Sequence, residues 1–163
     1  MSQRDKIFEM LREFQTVMLA TAGPDGRIES RPMQVVDIDE RTGNIWFFTG
    51  RDSRKVHEIS DNAQVAVICQ DDRSSYLNLS GIGMIVHEPS RVRELWREPF
   101  RTWFPDGPDD PTLRLLVVEP RMAEYWDNRG TNKLEYMFEA VRAYASGDRP
   151  RVDEGDQHGR INL

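Results

Sequence analysis

One cysteine, three histidines and no long apolar run mark this 163-residue chain by what it does without. With Cys69 alone, no disulfide can form within the chain, which fits a reducing compartment. His57, His87 and His158 lie far apart, and no Cys/His spacing resembles a zinc site, so scattered surface or boundary histidines are the plain reading. Cys69 ends the run Val65-Ala66-Val67-Ile68 and reads as a small buried hydrophobe rather than a nucleophile. No segment approaches the roughly 20 apolar residues of a membrane helix, so no membrane association is expected. Nothing like a secretory signal follows Met1-Ser2-Gln3-Arg4-Asp5-Lys6, and a soluble cytoplasmic chain is expected. Positive charge is also in deficit: 22 Lys and Arg stand against 28 Asp and Glu, a net charge of −6. That balance opposes a phosphate-backbone surface and excludes nucleic acid as the expected partner. Small anionic ligands stay open, because a few local cations suffice for them.

What is present is a meander of short β runs between turns. Ile7, Met10, Leu11 and Phe14 recur at helical spacing behind a Ser2 cap with Asp5 in the first turn. Thr16 to Ala22 and Arg27 to Ile38 flank the turn Gly23-Pro24-Asp25-Gly26 as a hairpin, and Thr42-Gly43-Asn44 turns the chain into Ile45 to Thr49. A short helix starts near Ser53 and stops at Asp61-Asn62; strands Ala63 to Cys69 and Tyr76 to Val86 follow, the latter bent at Gly81 and Gly83. Ser90 is read as the cap of a second short helix. The stretch Pro105 to Pro111 can be neither helix nor central strand. Leu113 to Glu119 and Arg121 to Trp126 read as two last strands interrupted by Pro120. A closing helix is expected through Leu134, Met137, Phe138, Val141 and Tyr144. The expected fold is mainly β: a barrel of six to seven strands with short capping helices, which leaves few open edges. One domain spans residues 1–145, and the polar stretch 146–163 is read as an extended or mobile tail.

Three pieces carry chemistry. Arg31, in Arg31-Pro32-Met33-Gln34, stands mid-strand, where a guanidinium is awkward unless it meets an anion; its planar fork suits phosphate. Ser53-Arg54-Lys55 adds two cations and a hydroxyl to the free N–H groups of a helix start. Phe47-Phe48-Thr49 brings an aromatic wall between them. Plainer readings exist for each: Arg54 and Lys55 as a solvated face, Arg31 paired with Glu29 or another exposed carboxylate, and one of Phe47 and Phe48 in the core. A phosphate beside a planar ring would use all three pieces at once.

In order and spacing, Arg31-Pro32-Met33, Trp46-Phe47-Phe48-Thr49 and Ser53-Arg54-Lys55-Val56 with Ile59 and Asn62 resemble the FMN-binding half of pyridoxamine 5′-phosphate oxidase. The general stress protein 26-like branch is the nearer match, through Trp103-Phe104-Pro105, Asp109-Asp110-Pro111 and Glu124-Tyr125-Trp126-Asp127. The resemblance runs from about Phe14 to Trp126, and more weakly to Ala145. It implies a Greek-key split β-barrel and a homodimer with two shared FMN sites. It further implies that Arg31, Ser53, Arg54 and Lys55 hold the ribityl phosphate, that Met33, Gln34, Phe48 and Thr49 line the isoalloxazine, and that Trp126 approaches the flavin from the partner subunit. Core or interface packing is the alternative for Trp126, and Trp103 equally suits a hydrophobic staple of its loop.

The departures matter too. The oxidase carries an Arg-Leu-His-Asp-Arg run after its late tryptophan, where this chain reads Arg129-Gly130-Thr131-Asn132-Lys133-Leu134, and its flavin-contacting glutamine aligns near Tyr76. The expectation is an FMN-dependent oxidoreductase, or a flavin-carrying stress protein, that works on a small-molecule electron donor or substrate other than the vitamin. The alternatives are a carrier that holds flavin without turnover and a barrel for F420 or haem. No side chain stands out as a catalytic acid, base or nucleophile.

Overall fold

The computed structural model describes residues 2–72, 75–127, 141–142, 144–147 and 158–163. Helix α1 (Gln3–Arg12) begins at a full capping box: Ser2 Oγ accepts from the Asp5 N–H, and the Asp5 carboxylate accepts from the Ser2 N–H. Its apolar stripe, Ile7, Met10 and Leu11, is buried against the sheet. Among the described residues eight strands follow, including β1 (Thr16–Ala22), β2 (Ile28–Gln34), β3 (Asp37–Ile38), β4 (Ile45–Gly50) and β5 (Gln64–Gln70). The remaining three are β6 (Tyr76–Val86), β7 (Leu113–Trp126) and β8 (His158–Asn162). Helix α2 (Arg54–Asp61) links β4 to β5; α3 (Pro89–Leu95) and a 3₁₀ turn (Glu98–Thr102) lie between β6 and β7.

All strand pairings are antiparallel, in the order β2-β1-β5-β6-β7-β4-β3, with β8 on β7. The sheet curls until β2 comes near β4, which makes the expected split barrel. Inside it Val17, Leu19, Phe47, Val67, Leu79, Leu116, Val118 and Tyr125 form the main core. A second cluster, Phe48, Val92, Leu95, Phe100, Leu113 and Leu115, lies under α3 and the 3₁₀ turn.

The structure differs from the sequence reading in four places. Arg27 to Ile38 is two strands: β2 pairs with β1, and after Val35 and Val36 the short β3 pairs with β4, so the chain crosses the barrel's gap there. Pro120 does not split β7. It sits opposite Gly81 at a register shift, where a residue without an N–H costs no ladder bond. Helix α3 has Glu88, not Ser90, at its N-cap position, without a side-chain cap bond, and Pro89 in its first turn. The stretch 146–163 is not wholly a free tail: His158–Asn162 is β8, with Ile161 and Leu163 packed against the main core, so the sheet reaches beyond residue 145. Of the expected closing helix, Leu134, Met137 and Phe138 lie outside the described residues, while 141–142 and 144–146 are helical. Among the described residues, no helix is long and apolar enough to cross a membrane.

Candidate functional site

Residues Glu29, Arg31 and Met33 alternate along β2 onto one side, opposite Thr21, Leu19 and Val17 of β1. Arg31 thereby reaches the first turns of α2, which covers this end of the barrel. Its Nη1 donates to Thr21 Oγ1 at 2.6 Å and its Nη2 to Glu58 Oε2 at 3.1 Å. The Thr21 hydroxyl in turn donates a hydrogen bond to Glu58 Oε2, also at 2.6 Å. Arg54 pairs with Glu29 and, through Nε at 3.1 Å, with Glu58 Oε1. Glu58 is a carboxylate buried in the interior, and the Thr21 hydroxyl, then Arg31 and Arg54, hold it below its ordinary pKa despite that burial.

Lys55 completes the group. Burial, then the neighbouring Arg31 charge, pull its ammonium below the ordinary lysine value, against the opposing pull of Glu58. Among the described residues it has no salt-bridge partner. Three cations thus face two carboxylates at the start of α2, where N–H groups are free and the helix dipole is positive. Ser53 occupies the N-cap position but makes no side-chain cap bond; its Oγ lies 3.1 Å from Thr49 Oγ1 instead. The arrangement can bind one further small anion.

A pocket of about 320 Å³ lies along the same two strands, β2 and β4, within the roughly 300–1,000 Å³ usual for small-molecule sites. Thr16, Pro32, Met33, Gln34, Val36 and Phe48 form its strand side, and Phe100, Trp103 and Phe104 its helix side. Among the described residues the polar side chains in the lining are Thr16, Gln34 and the indole N–H of Trp103, and none of them ionises. Phe48 is packed edge-on against Phe100, with ring centroids 5.0 Å apart, so the wall it presents is rigid. Phe47 points the other way, into the main core. Met33 stands two residues from Arg31 on β2, and Phe48 next to Thr49 on β4, so pocket and cradle draw on the same strands.

The expected site residues therefore fall into three groups. Arg31, Thr49, Ser53, Arg54 and Lys55 meet at the cradle, and Met33, Gln34 and Phe48 meet in the pocket. Trp126 belongs to neither in its own chain. It lies on the outer face of β7, opposite Tyr76 and stacked on His158 at 5.1 Å. Sequence reasoning missed Glu58, Thr21, Phe100 and Phe104. Glu58 had left a signal, because it interrupts the buried stripe of α2 between Val56 and Ile59, four residues after Arg54.

A family model described as pyridoxamine 5′-phosphate oxidase like matches residues 2–151. General stress protein 26 of Bacillus subtilis (strain 168) is 29% identical over 127 residues, which cover 74% of this chain and 87% of that protein. The general stress FMN/FAD binding protein from Xanthomonas citri is 28% identical with a TM-score of 0.67, over 78% of this chain and 89% of the other. A pyridoxamine 5′-phosphate oxidase-related, FMN binding protein from Nostoc punctiforme PCC 73102 shares the fold over 100% of this chain and 97% of its own, with a TM-score of 0.61 at 17% identity. With the family model spanning almost the whole chain and the barrel built as in these relatives, the chain belongs to the pyridoxamine 5′-phosphate oxidase-like family.

Proposed function

We propose that this chain is an FMN-binding flavoprotein, a homodimer that exchanges electrons with a small molecule other than a vitamin B6 phosphate. The observation that carries the reading is the crowding of Arg31 on β2 and Lys55 on α2, like charges in a half-buried place, with an aromatic-walled pocket along β2 and β4 in which no described residue ionises. Like charges desolvated together call for an anion, and a flat apolar slot calls for a ring. FMN joins the two through a short ribityl chain. Arg31, Arg54, Lys55 and Ser53 would hold its phosphate, with Thr49, expected at the ring, standing beside Ser53 instead, and Met33, Gln34 and Phe48 would border its ring. The bound cofactor would supply the electron chemistry, while the protein binds it, orients it and keeps water from it. The Bacillus and Xanthomonas relatives support the stress-protein branch of this reading.

The dimer draws support from the outer face of the sheet. Met18 pairs across strands with Ile68, and Tyr76 with Trp126; each of the four is 38–42% exposed. A second copy on that face would bury this patch and bring its Trp126 toward a site it does not reach in its own chain.

A carrier without turnover is the second reading, favoured by a pocket whose lining, among the described residues, holds no acid or base. Anaerobic titration of the FMN-loaded protein with NADH or NADPH separates the two. Bleaching of the flavin band supports the oxidoreductase; a band that persists with both donors supports the carrier. Wild-type protein that binds riboflavin as tightly as FMN would sink the phosphate cradle itself.

A further inference from the structure

The two carboxylates of the cradle are not alike. Glu58 has 3% of its side chain exposed and is held by Thr21, Arg31 and Arg54 together. Glu29 stands on the barrel's rim with 31% exposed and is held by Arg54 and, at 3.9 Å, by Arg31. Removing Glu58 from its partners would strand an anion in the interior, which is costly. Releasing Glu29 returns it to water, where the lost pairing matters little. Arg54 is itself 72% exposed, so rotation about its side-chain bonds can re-aim its fork with no backbone movement.

We propose that Glu29 is an exchangeable counter-ion of the phosphate cradle: it occupies Arg54 when no phosphate is bound and yields that guanidinium to the incoming phosphate, while Glu58 stays in place and positions Arg31. This rests on the cradle reading above. Glu29 then acts as a built-in competitor. It lowers affinity for phosphate-bearing ligands and leaves affinity for the bare ring untouched. It also keeps the Arg54 cation neutralised when the site holds no anion, and it does so without the backbone strain a closing loop would need.

The test is a titration of FMN and riboflavin, by flavin fluorescence, into wild type, Glu29→Gln and Glu58→Gln. Glu29→Gln is expected to tighten FMN roughly two- to fivefold, the scale of one partly exposed ion pair, with riboflavin unchanged. Inorganic phosphate should displace FMN from the wild type, and bind Glu29→Gln more tightly by the same factor. Glu58→Gln keeps an acceptor for Thr21 but loses the charge that anchors Arg31, so it should weaken FMN and not riboflavin. Unchanged or weaker FMN binding in Glu29→Gln overturns the proposal. So does equal tightening in both variants, which would show that only net charge matters. Should Glu58→Gln fail to fold, the Glu29→Gln comparison decides alone. Wild type with no preference for FMN over riboflavin removes the cradle reading and this proposal with it, an outcome distinct from a wild type that prefers FMN while Glu29→Gln leaves the preference unaltered.

Discussion

Single side chains in this protein often serve two ends, and substitutions have to be chosen with that in mind. Arg31 is a phosphate ligand in the proposed function and also the partner of buried Glu58. Its removal strands that carboxylate, a loss on the order of 3 kcal/mol or less given that Arg31 is partly exposed. Lys55 carries no such burden, and Lys55→Ala is the cleaner variant. It should weaken FMN about tenfold to a hundredfold, the worth of one charge-assisted hydrogen bond. Riboflavin binding and the urea midpoint should stay as in the wild type; an equal loss for both flavins would mean that Lys55 supports the fold and not the phosphate. Cys69 illustrates burial acting alone. Its thiol is pushed up to about 12 by its apolar surroundings, and only the thiolate reacts. Ellman's reagent at pH 8 should leave native protein unlabelled and label one thiol per chain in urea, so quick native labelling would contradict the burial.

At the scale of elements, the Ser2 cap of α1, strands β1, β4, β5 and β6 and the α2 start were legible in local residue patterns. The breaks were harder to read. Pro120 reads locally as a strand end, because proline lacks a donor, yet the register shift at Gly81 removes the need for one. Gly81 is required there: a Cβ would lie 2.1 Å from the Glu119 carbonyl oxygen, a backbone atom that cannot step aside. Gly81→Ala should therefore cost roughly 1–3 kcal/mol or more in urea unfolding. Gly50→Ala, with nothing within 4 Å and no positive φ, should stay within about 0.5 kcal/mol. Similar losses at both positions would show that the β6–β7 crossing has room for a side chain at Gly81.

For the whole molecule, the uncovered sheet face and the site are one question. If Met18, Ile68, Tyr76 and Trp126 meet a second copy, the interface should belong to the obligate class, above roughly 2,000 Å². Light scattering should give the mass of two chains at micromolar concentration. Ile68→Asp should yield folded monomers that have lost most of their FMN affinity; a wild type with the mass of one chain would end the dimer reading. Substrate range is set at the same scale. Among the described residues the pocket lining holds no cation, and the cradle's cations are assigned to the cofactor's phosphate. A site that cannot pair a second phosphate rejects substrates that carry one. Pyridoxamine and pyridoxine phosphates should therefore not be oxidised appreciably, and formation of pyridoxal phosphate at ordinary enzyme rates would refute this.

Local order was enough to determine the class of fold, the place of Arg31 on a strand and the clustering of Ser53, Arg54 and Lys55 at a helix start. Each of these follows from side-chain period, turn chemistry or a cap within a few residues of chain. Contacts between residues far apart in the chain followed no such rule. Glu58 met Thr21, 37 residues away, only because α2 closes the barrel over β1. Phe100, Trp103 and Phe104 reached Phe48 because the segment between β6 and β7 folds back across β4. His158 came to lie on Trp126 because β8 takes the half of β7 that β4 leaves unpaired. Such pairings carry no local signature, since the energy that makes them arises only when burial and ladder closure bring the two partners together.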